Sequence, residues 1–153
     1  VYAVGDVNGG PQFTYISLDD FRIVFCALTG NGQYTLKDRK NIPYTTFLTP
    51  PLARVGLTEE DAINKGYTVK TKEMLVATMP RAHVNDYLKG AFKIVVNADN
   101  DLILGATLYS QGAEELINLI KMAMDNNIPY TFFKNQIFTH PTMAENLNDL
   151  CNF

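Results

Sequence analysis

The strongest constraint on the fold is a pair of apolar segments separated by a short polar turn. Residues 91–96 and 102–109 are rich in apolar and β-branched side chains, and the turn between them contains four Asn and Asp residues. This pattern predicts a β-hairpin with bends or bulges at Gly90 and Gly105. Apolar residues then recur at helical spacing over 112–126, which predicts a helix. Together these elements favour an α+β fold, a mostly antiparallel sheet with helices packed on one face.

The 112–126 helix has more apolar surface than one face needs. Leu119 and Met122 lie off its main apolar stripe. A helix with this pattern is either a deep core helix or a helix that packs on its own sheet and also on a partner. The sequence leaves both interpretations open.

Shorter elements are predicted before the hairpin. Residues 44–48 favour a short or edge strand because two prolines follow, and residues 52–57 can continue it. A capping box at Thr58 and a glycine at position 66 delimit a two-turn helix. Residues 67–78 favour another strand.

The first forty residues have a different pattern. Residues 1–5 resemble the end of a buried strand, residues 12–28 predict a helix, and residues 29–32 predict its stop. We therefore expect two parts, residues 1–40 and residues 41–153. The chain opens on this strand without an initiator Met, so we expect it to be a piece of a longer protein.

Composition excludes several classes of protein. The 153 residues are 46% hydrophobic and 19% charged, with a net charge of -3 and scattered basic residues, so nucleic acid is not an expected partner. No apolar run reaches the roughly 18 residues of a membrane span. Cys26 and Cys151 lie far apart in the sequence, which favours a reducing compartment, the cytoplasm. Cys26 is predicted to be a buried small apolar residue.

Few residues could carry chemistry. Ser110 lacks the first glycine of a nucleophile elbow, and Ser17 lies inside the predicted helix. The cysteines and histidines share no spacing typical of a zinc site, so no metal site is expected. His83 is predicted to be an exposed polar residue.

His140 and Glu145 are the remaining candidate catalytic pair, and two interpretations compete. Thr142 and Glu145 have the spacing of a capping box, so Glu145 could do no more than cap a helix. Alternatively, Glu145 accepts a hydrogen bond from one imidazole nitrogen and leaves the other as an acid or base. An imidazole titrates at about pH 6.5 in model peptides, which suits proton exchange with a thiol.

Four motifs also occur in a fixed order: YAVGDV at 2–7, QFT at 12–14, FLTPPLARVGLTE at 47–59 and HPTMAE at 140–145. Together they resemble the closing part of the pyridine nucleotide-disulfide oxidoreductases, which include glutathione reductase, lipoamide dehydrogenase and mercuric reductase. The resemblance covers essentially the whole chain. It implies that residues 41–153 are the dimerisation domain and residues 1–40 the C-terminal remnant of the FAD-binding domain.

Residues 12–24 and 137–141 look most similar to a bacterial branch of reactive-chlorine-resistance flavoproteins that is linked to copper(II) reduction. Ser17 and the Asp19-Asp20 pair depart from the glutathione reductase pattern, so neither glutathione nor lipoamide is expected as substrate.

The resemblance implies roles for individual residues in an enzyme that uses FAD and NAD(P)H. Asp6 would bind a ribityl hydroxyl of FAD, and the backbone of Phe13 and Thr14 would face the flavin pyrimidine edge. His140, supported by Glu145, would enter the active site of the partner in a homodimer and exchange a proton with its interchange thiol. The dimer would form through the 112–126 helix and the nearby sheet.

Further expectations concern the chain taken alone. We expect the 153 residues to bind no FAD and to show no turnover, and we expect the 12–28 helix to be disordered, refolded or exchanged between protomers. The resemblance also implies a cis peptide bond before Pro141. Two other classes stay open, a non-catalytic interaction module and a redox-inactive paralogue.

Overall fold

The structure is a computed structural model that describes residues 1–30 and 33–153. These residues form two compact units, Val1–Lys40 and Asn41–Phe153. Over the described part of the chain, no helix combines the length and apolar character needed to cross a membrane.

The first unit is organised around one long helix. Helix α1 (Thr14–Thr29) follows a 3-10 turn at Gly5–Asn8 and precedes a second one at Leu36–Asp38. Gly30 ends α1 with a φ of 79°. The predicted helix stop at 29–32 falls partly outside the described residues.

Helix α1 is continuous although Phe21 and Leu28 are exposed. The predicted disorder or refolding of this segment is not observed, whereas its exchange between protomers stays a prediction. The Asp20 carboxylate explains why the segment keeps its form, because it accepts a 2.7 Å hydrogen bond from the Gly5 N–H and ties the helix to the turn before it.

The second unit is a five-stranded sheet with five helices among its described residues. The elements are β1 (Tyr44–Thr46), β2 (Leu52–Gly56), α2 (Glu59–Asn64), β3 (Val69–Leu75), α3 (Pro80–Val84), β4 (Ala91–Asn97), β5 (Ile103–Tyr109), α4 (Ala113–Asp125), α5 (Tyr130–Asn135) and α6 (Asn146–Leu150). The strand order is β1-β2-β5-β4-β3, and every neighbouring pair is antiparallel. The predicted α+β class, the 91–109 hairpin and the 112–126 helix are confirmed.

One face of the sheet forms the core. Phe92 pairs with Leu108 and Ile94 pairs with Ala106, and these side chains are buried on one face with apolar residues of α4, α5 and α6. Helix α2 lies on the other face, where the Glu59 carboxylate forms an ion pair with Lys93 Nζ at a distance of 2.6 Å. The prediction that the helices pack on one face holds for α4, α5 and α6 but not for α2.

Two predicted strands have different limits. Residues 52–57 do not prolong β1 but form β2, which pairs back on β1 after the proline turn. The strand predicted over 67–78 ends at Leu75, because the chain bends through a 3-10 turn that buries Val76 and Met79.

Candidate active site

The candidate base lies on the loop between α5 and α6. Residues 136–140 form an irregular loop, and the His140–Pro141 peptide bond is cis. The His140 side chain is 67% exposed, whereas that of Glu145 is only 19% exposed. The imidazole therefore projects into solvent, whereas the Glu145 side chain is held against the domain.

Glu145 makes the contacts that each of the two competing interpretations requires. Its Oε2 lies 2.7 Å from His140 Nδ1, and its Oε1 accepts a 3.0 Å hydrogen bond from the Thr142 N–H. In return, Thr142 Oγ1 accepts from the Glu145 N–H at 3.2 Å and donates to the Thr139 carbonyl at 2.8 Å. Glu145 lies immediately before α6, at its N-cap. One carboxylate thus completes the reciprocal hydrogen bonds with Thr142 in the turn before α6 and also bonds the imidazole.

The charge of Glu145 determines what His140 can do. The hydrogen bond from His140 is the main cause that lowers the pKa of Glu145; desolvation opposes it, and the Thr142 N–H adds a smaller lowering. An ionised carboxylate only accepts hydrogen bonds, so Nδ1 carries the proton that faces it. In the neutral ring the exposed Nε2 then holds the lone pair and can act as a base.

Asparagines that the sequence reasoning missed surround this pair. Asn146 is 2% exposed, and its Nδ2 donates to the carbonyls of Thr142 and Met143, each at 3.1 Å. Asn148 donates from α6 to the backbone at the end of α5. The signal in the sequence is an Asn-Leu-Asn run inside a helix, where asparagine is a poor helix former that prefers bonds to nearby backbone.

The three residues predicted to bind FAD lie in the first unit. Asp6 is exposed in the 3-10 turn, Phe13 is the N-cap of α1 with φ of -132°, and Thr14 is the first helical residue. The turn that carries Asp6 is fixed by Asp20, which also accepts a 2.7 Å bond from Asn8 Nδ2. Asp6 thus lies in a hydrogen-bonded turn, and Thr14 lies at the start of a helix.

Other candidate groups have structural explanations. Cys151 is fully buried, and desolvation raises the pKa of its thiol to about 12, so it is chemically inert. Cys26 is half-buried, which makes the prediction of a buried Cys26 wrong. His83 is exposed, as predicted, and contacts the Ala77 carbonyl at 2.8 Å. In the ranges 1–30 and 33–153, no group of three or more His, Cys, Asp and Glu side chains could hold a metal ion.

Comparison with known proteins identifies the family. Residues 42–151 match the family model described as pyridine nucleotide-disulphide oxidoreductase, dimerisation domain. Over 150 residues the chain is 49% identical to the probable pyridine nucleotide-disulfide oxidoreductase RclA of Escherichia coli strain K12. The aligned region covers 98% of this chain and 34% of that protein. Over 147 residues it is 36% identical to a mercuric reductase of Staphylococcus aureus, and this aligned region covers 96% of this chain and 27% of that protein.

Solved structures agree with these matches. The structure of the HOCl-induced flavoprotein disulfide reductase RclA from E. coli matches with a TM-score of 0.95 over 98% of this chain and 34% of that chain, at 49% identity. A Cu(II) complex of the same E. coli protein matches equally well. The chain therefore belongs to the pyridine nucleotide-disulfide oxidoreductases, and it spans about a third or less of the length of these relatives.

Proposed function

We propose that this chain is the C-terminal part of a dimeric, FAD-dependent NAD(P)H:disulfide or metal-ion oxidoreductase, and that it supplies His140 and Glu145 to the active site of the partner subunit. The observation that carries the proposal is the 2.7 Å contact between His140 Nδ1 and Glu145 on an exposed loop of the dimerisation domain. A base held at the surface of a dimerisation domain is suited to act on another chain.

The chemistry assigned to His140 is a proton shuttle. Nε2 takes the proton from the S–H group of the partner's interchange thiol, which leaves a thiolate to attack the substrate disulfide or bind the metal ion. The resulting imidazolium is stabilised by the Glu145 carboxylate, and it returns the proton to the thiolate that leaves. Glu145 stays ionised throughout because its pKa is lowered.

The first unit offers groups that fit part of a flavin site. Asp6 presents an exposed carboxylate from an ordered turn, which suits a ribityl hydroxyl donor, and the 16-residue helix α1 places its positive end at Phe13 and Thr14. FAD supplies electron transfer from NAD(P)H to the disulfide. Residues 1–40 are thus proposed to be the end of the FAD-binding domain, and residues 41–153 the dimerisation domain.

The dimer is proposed to use the outer side of α4. Leu119 is 38% exposed and Met122 is 62% exposed, so α4 is not a deep core helix. Its inner residues fill the core while these two remain available to a second copy of the chain. The names of the relatives suggest a disulfide or metal ion as substrate and a role in redox homeostasis. The two free cysteines support a cytoplasmic location.

Purification of the full-length protein tests this proposal. We expect a dimer with one flavin per chain that oxidises NAD(P)H when a disulfide or Cu(II) is added. Its sequence before Val1 is expected to contain two nucleotide-binding regions and a redox cysteine pair. A full-length protein that binds no flavin, or lacks the cysteine pair, would instead favour the interaction module or the redox-inactive paralogue.

A further inference from the structure

The loop that carries His140 is anchored at both ends by side chains at the start of α6, Asn148 within the helix and Glu145 at its N-cap. At its start, Asn148 Nδ2 donates to the Phe133 carbonyl at 2.7 Å and to the Gln136 carbonyl at 2.9 Å. At its end, Glu145 binds His140. Glu145 and Asn148 are three residues apart, a spacing that places two side chains on the same side of a helical turn.

The Asn148 contacts add donors at the end of α5, where the Phe133 carbonyl also accepts a hydrogen bond from the Gln136 N–H at 3.3 Å. The last carbonyls of a helix have no partner within the helix, and α5 ends at Asn135. The Asn148 amide supplies donors to this end and continues past it to Gln136, where the irregular loop begins. Between the two anchors Ile137 is 92% exposed, whereas the half-buried Phe138 packs against the core and also helps to hold the loop.

Helix α6 is itself fixed to the domain. Leu147 and Leu150 are fully buried in the core. From β3, Lys72 Nζ donates to the carbonyls of Asp149 and Asn152, at 2.7 and 2.6 Å, near the C-terminal end of α6 where a cation is favoured. Because α6 is held by the core and by β3, its side chains fix both ends of the loop relative to the sheet.

We propose that Asn148 is a positioning residue for His140, which sets the reach of the imidazole into the partner's active site by fixing the start of its loop. This inference rests on the proposed function. Glu145 orients the imidazole ring, and Asn148 fixes the position of the first residues of the loop that carries it. Misplacement of a catalytic group by about 1 Å can cost on the order of 100-fold in rate, so loss of the Asn148 anchor alone is expected to cost about tenfold.

The test uses the full-length dimer with Asn148→Leu, which keeps the branched shape and removes the donors, and Asn148→Asp, which presents a carboxylate to the same carbonyls. We expect both variants to lower kcat for disulfide reduction about tenfold. Reduction of the flavin by NAD(P)H should be unchanged, and amide hydrogen exchange over residues 136–140 should accelerate. The matched control is Asn85→Leu, which should have no effect, because Asn85 Nδ2 donates to the Gln111 side chain at an exposed site, at 3.1 Å.

A double-mutant cycle with His140→Gln separates positioning from general damage. Once the imidazole is gone, Asn148→Leu should lower the rate no further, within about twofold. The inference is overturned if Asn148→Leu and Asn148→Asp leave kcat unchanged, if their loss persists beside His140→Gln, or if it occurs only with lost flavin or a dissociated dimer. If His140→Gln itself has no effect, the proposed function fails, whereas a loss with His140→Gln alone contradicts only the role of Asn148.

Discussion

Replacement of His140 by Gln in the full-length dimer is expected to lower kcat for disulfide reduction by about 100-fold or more, since a positioned general acid–base group contributes roughly 10²- to 10⁴-fold. Glutamine keeps a polar side chain at the loop but cannot exchange a proton with a thiol. The reduction of flavin by NAD(P)H should be unaffected, because His140 acts only on the thiol. Stopped-flow measurement of the two half-reactions separates these effects.

Variants of other residues test whether the expected loss of kcat is specific to the His140–Glu145 pair. His83→Gln is the matched control, because His83 is also an exposed histidine and should leave both half-reactions unchanged. Glu145→Gln can keep the cap on the Thr142 N–H and should lose rate without loss of stability, whereas Glu145→Ala should lose both. Full activity of His140→Gln with disulfides would reduce Glu145 to a helix cap.

Replacement of Arg39 by Met is expected to destabilise the first unit by about 3 kcal/mol, because removal of one partner from a buried ion pair leaves an uncompensated charge. Asp20 is 4% exposed and is bound by the Arg39 guanidinium, which also bonds Asp19 at 2.6 Å. Since Asp20 holds the Gly5 N–H, the turn that presents Asp6 should loosen. The expected result is a full-length protein with reduced flavin content, measured by its absorbance.

The pH dependence of this effect follows from the pKa of Asp20. The Arg39 bond is the main cause that lowers it, followed by the Gly5 N–H. A carboxyl with a lowered pKa stabilises the fold above its unfolded pKa, about 4, and loses that contribution as pH falls through the folded-state value. The difference in stability between the natural protein and Arg39→Met should thus be full at neutral pH and shrink in acid. Lys37→Met, at an exposed site, is the control, and equal flavin loss in both variants would contradict this role.

Elements defined by neighbouring residues could be predicted from the sequence. The capping box at Thr58 is present, with Oγ1 accepting from the Asp61 N–H at 3.0 Å, because all its atoms lie within one turn. The hairpin of β4 and β5 and the helix α4 follow from side-chain periodicity that is equally local. The same holds for Glu145, whose two candidate partners lie within five residues.

Features that depend on distant residues could not be predicted. The insertion of β5 between β2 and β4 joins strands far apart in the sequence, and periodicity gives no strand order. Asn148 acts on carbonyls 12 and 15 residues before it, and Arg39 reaches back 20 residues to Asp19. Backbone acceptors leave no mark in a sequence, so such a partner is visible only in the folded chain.

Hybrid dimers test most directly the claim that His140 serves the partner subunit. One chain carries His140→Gln, and the other keeps His140 but has its redox cysteines replaced by serine, so each homodimer is inactive. In the hybrid, the one site with intact cysteines would receive His140 from the other chain. We expect it to recover about half the disulfide reductase activity of the natural dimer, since one of two equivalent sites is complete. A hybrid as inactive as its parents would contradict the account.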